Sequence, residues 1–331
     1  MIKEAYEIIK IDVDCLKVEE LKQLYSIDGA IVVKYNFLKR FRDVNEYRNL
    51  YLTTFVENEN ELFVIKNNSS ICGTLSFIKF SDWNGKEQYK LTIYLCDSKI
   101  DKLLISCLNQ FIDEKLLQYN QFAIIIYNNE LEEMIKGRPH KVNLKANIYT
   151  LKKENIDIDL LNKSIDEYQT KNSDLYIKYT DIISEEYIEQ YCELFTETMK
   201  DMADEKEDGY ERFIITPEIQ RQRNELRIKR GFAHHCYMVF NENNEMIAKT
   251  NVSVNEADQR FPYQFMVGVD RRYRGRSLGK WLYAAMYKKL FENLDFEKAY
   301  VAHHPENKHI IDISEWIGYK FSYLETTYLV N

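Results

Sequence analysis

Apolar positions along this chain repeat with two periods, and the change of period marks its elements. From Gln264 to Phe291 the sequence reads QFMVGVDRRYRGRSLGKWLYAAMYKKLF. Phe265 to Val269 is a short apolar run. Leu278, Trp281, Leu282, Ala285, Met286 and Leu290 then recur at spacings of three and four. The pattern predicts a strand, a cationic turn with two glycines, and an amphipathic helix. First-turn N–H groups of such a helix lack intrahelical partners and sit at its positive end. They suit a phosphate, and Arg274 and Arg276 add charge there.

The same pattern divides the remainder. In the first half it predicts helices at Val18–Ile27, Asp43–Phe55 and Ile100–Leu117 and a short one at Glu130–Lys136. It predicts strands at Glu61–Lys66, Ile71–Lys79, Tyr89–Cys96, Phe122–Tyr127 and Asn143–Leu151. Glu154 to Asn172 is polar and acidic with weak helical periodicity, and a domain boundary is expected near residue 165. In the second half a strand at Tyr176–Tyr179 precedes a helix capped by Ser184. A second helix follows Thr216 with Pro217 at its first position. A hairpin is predicted over Cys236–Asn241 and Met246–Val254. Beyond the central segment come a strand at Ala299–His303, a helix ending at Gly318 and a last strand from Tyr319 to Leu329. Arg221, Arg223, Arg227, Lys229 and Arg230 on the second helix read as a solvated charged face.

Composition narrows the class. A chain of 331 residues exceeds one ordinary core and suits two domains. Only 10 glycines and 4 prolines, with no biased tract, argue against long disordered segments. A net charge of −8 argues against nucleic acid or an anionic membrane as partner and favours a cationic one. Six scattered cysteines show no metal-ligand spacing, so no metal is expected, and they read as reduced thiols. The N-terminal stretch lacks a signal peptide's apolar core, and no run of 18 apolar residues occurs. A cytoplasmic protein, monomer or homodimer, is expected.

The glycine loop is not a P-loop: Gly275 and Gly279 are one residue too close, and Trp281 follows Lys280. The dinucleotide fingerprint fails because position 277 is Ser. Arg274-Gly275-Arg276-Ser277-Leu278-Gly279 instead resembles the acyl-CoA pyrophosphate loop of the GCN5-related N-acetyltransferases, the GNAT family, with Ser277 where that family usually has Gly. Asn307, Ile310, Ser314, Gly318 and Tyr319 resemble the family's last-helix pattern. The two motifs cover about 264–320, and element order extends the likeness to about 176–330. The first half has a similar element order but Asp97-Ser98-Lys99-Ile100-Asp101 where the loop would be. Two acids there oppose a pyrophosphate.

The resemblance implies an α/β (α+β) fold of two tandem GNAT-like domains, each a mixed, mostly antiparallel sheet flanked by helices. Residues 1–165 would form a degenerate domain without a CoA loop, or an unrelated α/β domain of similar order. Residues 166–331 would form the catalytic domain. The tandem arrangement is similar to bacterial two-domain GNAT proteins, some of them self-resistance enzymes acetylating amine-bearing antibiotics of the zwittermicin and paenilamicin type.

By the same resemblance acetyl-CoA is the acetyl donor. Val267 and Val269 would face its pantetheine arm, with the Val269 N–H on the thioester oxygen. Arg274, Gly275, Arg276, Ser277, Leu278, Gly279 and Lys280 would hold the pyrophosphate. Asn307 would hold the pantetheine or position the sulfur end. Ser314 stands where the family's acid is usually Tyr; Tyr319 and Tyr323 are nearby alternatives. For the base, His303 and His304 lead, since imidazole titrates near neutral pH. His234, His235, Glu256, Asp258 and the C-terminal carboxylate of Asn331 are further candidates. The loop from Asp201 to Glu211 carries Asp204, Glu205, Glu207 and Asp208 and would attract a small cationic amine as acceptor. A peptide N-acetyltransferase and a non-catalytic acyl-CoA binder are the competing expectations.

Overall fold

A computed structural model describes residues 6–12, 15–34, 44, 60–68, 70–81, 87–96, 100–127, 129–201, 214–229, 231–256 and 258–331. The predicted helix at 43–55 lies outside these residues except for position 44. The chain forms two compact units: residues 1–146 with 322–331, and residues 147–321. The boundary expected near 165 falls instead inside a helix of the second unit. Among the described residues no helix is long and apolar enough to cross a membrane.

In chain order the first unit contains β1 (Tyr6–Ile11), α1 (Val18–Lys34), β2 (Glu61–Asn67), β3 (Ser70–Ser81), β4 (Glu87–Leu95), α2 (Lys102–Tyr119), β5 (Phe122–Ile126) and the short α3 (Glu133–Lys136). Strands β1 to β4 are antiparallel neighbours in sequence. The β2–β3 turn uses Asn68 at φ 55°, a conformation Asn tolerates. β5 pairs parallel with β4, as a helical crossover through α2 allows. Leu104, Leu108 and Ile112 of α2 pack on Ile65, Leu75, Leu91 and Ile124 of the sheet, all buried. β1 was not anticipated from the sequence. Its charged positions Glu7 and Lys10 interrupt the apolar signal, as is common on an edge strand.

The second unit begins within β6 (His140–Lys152). It continues through α4 (Ile158–Lys171), β7 (Tyr176–Thr180), α5 (Ile188–Asp201), α6 (Pro217–Lys229), β8 (Phe232–Phe240), β9 (Met246–Asn255), β10 (Tyr263–Val269), α7 (Leu278–Asn293), β11 (Lys298–His303) and α8 (Lys308–Ile317). β12 (Lys320–Val330) then returns the chain to the first unit, where Thr326–Val330 pairs with β5. The weakly periodic stretch after residue 154 is thus a formed helix, α4, capped by Asp157 on the Leu160 N–H.

Sheet order in the second unit is β7-β8-β9-β10-β11-β6, antiparallel except for β10–β11. Alternation along the strands divides the two faces. Cys236, Met238 and Met266 pack against Tyr191 and Phe195 of α5. Val252, Val254 and Val301 pack on the other face against Tyr283, Met286 and Leu290 of α7. α7 is buried nearly all round, with ten buried residues. Such a helix runs through a core rather than over it. α5 starts at Ile188, a turn later than Ser184 predicted, because 185–187 form a turn first.

Candidate functional site

β10 and β11 pair in parallel only at Tyr263↔Tyr300 and Gln264↔Val301. A bulge then displaces β10 between Gln264 and Met266, and the two strands part. On its other side β10 stays paired with β9 as far as Val269↔Ala248, and the Asp270 N–H donates to the Ile247 carbonyl at 2.8 Å. Antiparallel pairing alternates, so if Asp270 and Gly268 turn towards β9, Val267 and Val269 turn the other way. Their peptide groups therefore face the gap that β11 has left. Arg274 Nε donates to the Val269 carbonyl at 3.2 Å, which leaves the Val269 N–H directed into the gap.

The glycine loop follows at once. Gly275 has φ 79°, a conformation open to glycine, and a Cβ there would meet nothing within 4 Å. Ser277 takes the left-handed conformation at φ 63°, ψ 20°, and its side chain makes no cap bond to α7. The first-turn N–H groups of α7 are thus not claimed by a capping side chain. Gly279 sits where a Cβ would lie 2.9 Å from Ile313 Cδ1, so glycine lets α7 start against α8.

Arg276 is more occupied than the sequence implied. Its Nε donates to Asn172 Oδ1 at 3.0 Å and its Nη2 pairs with Asp174, so it ties the loop to the end of α4. Asn172 answers with its amide on the Arg276 carbonyl at 3.4 Å. Lys280 stands over the Trp316 ring at 5.1 Å.

The first unit differs at the equivalent place. There the helix after β4 is α2, and its N-cap Asp101 accepts from both Leu103 N and Leu104 N at 2.9 and 2.8 Å. Its own carboxylate fills the positive helix end. Asp97 to Lys99 lie outside the described residues.

His303 ends β11. His304 follows it directly, at the point where β11 has parted from β10. His303 Nε2 lies 2.7 Å from Ser314 Oγ of α8, and both side chains are buried. Burial pulls the His303 imidazole down to about 4, so it is neutral near pH 7 and a weak proton acceptor. His304 is less buried, and its Nδ1 accepts from the Glu306 N–H at 3.3 Å. Asn307 is the N-cap of α8, and its side chain makes no cap bond. Tyr319 is buried against Tyr287, hydroxyl to hydroxyl, within the core.

Asp204, Glu205, Glu207 and Asp208 lie outside the described residues. A groove between α5 and the start of α6 is lined by Glu189, Glu193 and Glu197 with Cys192, Ile215 and Pro217. The three glutamates follow a spacing of four on α5, a pattern the sequence reading passed over. The charged helix α6 is also only partly solvated. Arg221 pairs at the surface with Glu185 and Glu218, but Arg227 turns inward to His234, Nη1 to Nδ1 at 3.1 Å.

The profile of the Acetyltransferase (GNAT) family matches residues 188–318. No curated protein sequence matches the chain. A tandem GNAT protein from the clavulanic acid biosynthesis pathway superposes with a TM-score of 0.61 at 12% identity, over 98% of each chain. A GCN5-related N-acetyltransferase from Sphaerobacter thermophilus gives 0.57 at 8% identity, over 98% of this chain and 95% of that one. A glucosamine N-acetyltransferase region of a fungal multi-domain GH3 beta-N-acetylglucosaminidase gives 0.60 at 11% identity, covering 98% of this chain and 38% of that one. The fold is that of the tandem GNAT proteins. Identities this low speak to fold and not to substrate.

Proposed function

We propose that the second unit is an acetyl-CoA-dependent N-acetyltransferase acting on a primary amine of a small cationic molecule. One observation carries this reading: the open edge of β10 runs directly into a loop whose following helix starts without a side-chain cap. The residues fit the donor. Val267 and Val269 offer peptide groups for an extended amide arm. Gly275 to Lys280 offer N–H groups, a helix N-terminus and cationic side chains for a pyrophosphate. The uncapped Asn307 side chain offers a further polar contact. Asp101 takes up the corresponding helix end in the first unit, which supports a single donor site per chain.

Bound there, acetyl-CoA would supply an acyl thioester whose carbonyl carbon an amine nitrogen could attack, the new C–N bond replacing the C–S bond and the departing thiolate taking a proton. The chain's own groups serve that reaction as follows. The Val269 N–H would stabilise charge developing on a carbonyl oxygen. His304, the more accessible histidine at the end of β11, takes the proton of the ammonium group. His303 and Ser314 hold the end of β11 on α8 and act as positioning residues. Glu189, Glu193 and Glu197, with Asp204, Glu205, Glu207 and Asp208, raise the local concentration of a cationic acceptor. Amine-bearing antibiotics belong to that acceptor class, and the reaction is that of a cytoplasmic enzyme. The rival reading is a non-catalytic acyl-CoA binder, favoured by the buried Ser314 in place of an accessible phenol.

Thiol release from acetyl-CoA, followed with a panel of small amines and peptides, tests the proposal. Turnover with small amines is expected. Replacing Asp204, Glu205, Glu207 and Asp208 by Asn or Gln should raise the acceptor KM several-fold. Donor binding without turnover on any amine or peptide would leave the binder reading; turnover on peptides alone would move the acceptor class.

A further inference from the structure

Beneath α6, one face of β8 and β9 carries a polar set that the reaction above does not use. Cys236 stands opposite Asn251 and His234 opposite Ser253, so His234 and Asn251 are diagonal neighbours on the same face. Lys249, two residues before Asn251, shares it. Lys249, Asn251 and His234 are 0%, 1% and 4% exposed. The Lys249 ammonium lies 3.9 and 4.5 Å from the ring centres of Tyr191 and Phe195 and 3.9 Å from Met266 Sδ. The groups acting most strongly on it are Cys236, Cys192, Arg227 and Arg223, none of them a carboxylate.

Three buried polar atoms here have no hydrogen-bond partner among the described residues: both amide atoms of Asn251 and His234 Nε2. Arginine only donates, so Arg227 Nη1 must donate to His234 Nδ1 at 3.1 Å. The His234 proton therefore sits on Nε2, and that N–H is a donor with nothing to meet. Asn251 Nδ2 is a second. Burial and the neighbouring cations pull Lys249 down to about 7 and His234 well below its usual value. A buried cation and two buried donors without an anion are costly arrangements that folding alone does not call for. α5 covers Lys249 with Tyr191 and Phe195, and α6 adds little to that cover. Of thirteen residues, α6 buries only Gln220, and it leaves Leu226 and Ile228 exposed.

We infer that this face binds the carboxylate of the acyl acceptor, with Lys249, Asn251 and His234 as its donors and Arg227 as supporting charge. The acceptor is then amino-acid-like, bearing an amine and a carboxylate, and this rests on the transferase reading above. In the β9–β10 register Lys249 opposes Gly268 and Asn251 opposes Met266. The carboxylate thus lies about one strand spacing, roughly 5 Å, from β10, whose open edge is on the side away from β9, so the acceptor needs a spacer of about two to four carbons. A single negative charge matches a set with few donors and one lysine near its neutral form; a phosphate would ask for more.

The test uses the full chain and matched probe pairs: glycine, β-alanine and 4-aminobutyrate against methylamine, ethylamine and propylamine. Thermal unfolding and acetyl-CoA turnover are measured for the wild type, Lys249→Met and Asn251→Leu. The expected result is a rise in Tm with the amino carboxylates alone, and a wild-type preference for them in kcat/KM that falls at least tenfold in both variants. Lys249→Met removes a buried charge, so it should fold; if it does not, Asn251→Leu carries the test. Equal treatment of acids and plain amines, with no carboxylate-dependent rise in Tm, overturns the inference while turnover itself upholds the transferase reading. A carboxylate-dependent rise in Tm, lost in the variants, without turnover on any amine would uphold the site and overturn the transferase reading.

Discussion

A Cβ placed on Gly268 would lie 2.5 Å from the hydroxyl oxygen of Thr198. β10 and α5 approach that closely because Gly268 has no side chain, and the Thr198 hydroxyl is itself held by the Leu194 carbonyl at 2.7 Å. The contact fixes β10 from behind while its opposite edge stays open. Gly268→Ala should cost about 1–3 kcal/mol in denaturant unfolding, the usual range for overpacking a tight site. Adding Thr198→Ala should recover part of the loss. An alanine variant as stable as the wild type would show that β10 and α5 are farther apart than described.

Ser277 gives a second prediction. Its φ of 63° places a non-glycine residue in the left-handed region, which costs about 1–2 kcal/mol for most side chains. Glycine relieves that strain but adds unfolded-state entropy worth about 0.4–1 kcal/mol. Ser277→Gly should therefore be neutral to about 1 kcal/mol stabilising and should bind acetyl-CoA at least as well. A clear loss of stability would mean that the hydroxyl has a structural partner.

His303 makes stability depend on pH. Its folded value near 4 lies below the ordinary 6.5, so between these values the unfolded chain binds more protons. Its contribution is present above pH 6.5 and is lost as pH falls towards 4, with an upper size of about 3 kcal/mol. His234 and His235, both also lowered, act in the same direction. Unfolding measured between pH 7 and 4 should show this decline, and His303→Gln should flatten part of it. An unchanged profile in the variant would mean His303 is not buried as a neutral base.

The adjacent histidines separate in kinetics. His304→Ala should lower kcat tenfold or more, with the acetyl-CoA KM little changed. His303→Asn should lower kcat less and shift both KM values, since it acts through Ser314 and the seating of β11. The reverse ranking would move the base to His303.

Much of this was legible in the sequence because the relevant information is local. The strand, glycine loop and helix at 265–291 announce themselves by a change of period, and the pattern from Asn307 to Tyr319 adds a second local mark. The unit boundary was not legible. It falls within β6 and again within β12, and a strand that changes partners partway carries no break in its alternation. Lys249 and Asn251 were missed for a similar reason. In Met246–Asn255 they sit among Lys, Thr, Asn and Ser that read as the solvent face of a strand. The cover that buries them comes from α5 and α6, which only the fold brings over. Arg227 looked like one cation in a charged helix until its turn towards His234 was visible.

The proposed donor site holds one acetyl-CoA per chain, on the open edge of β10 and the start of α7. Calorimetric titration of acetyl-CoA into the wild type and a folded Gly275→Glu variant tests it most directly. One site per chain, abolished in the variant, is predicted, because the new carboxylate would occupy the open space in front of Gly275 and repel a pyrophosphate. Two sites per chain, equal binding by the variant, or no binding to a folded wild type would contradict it.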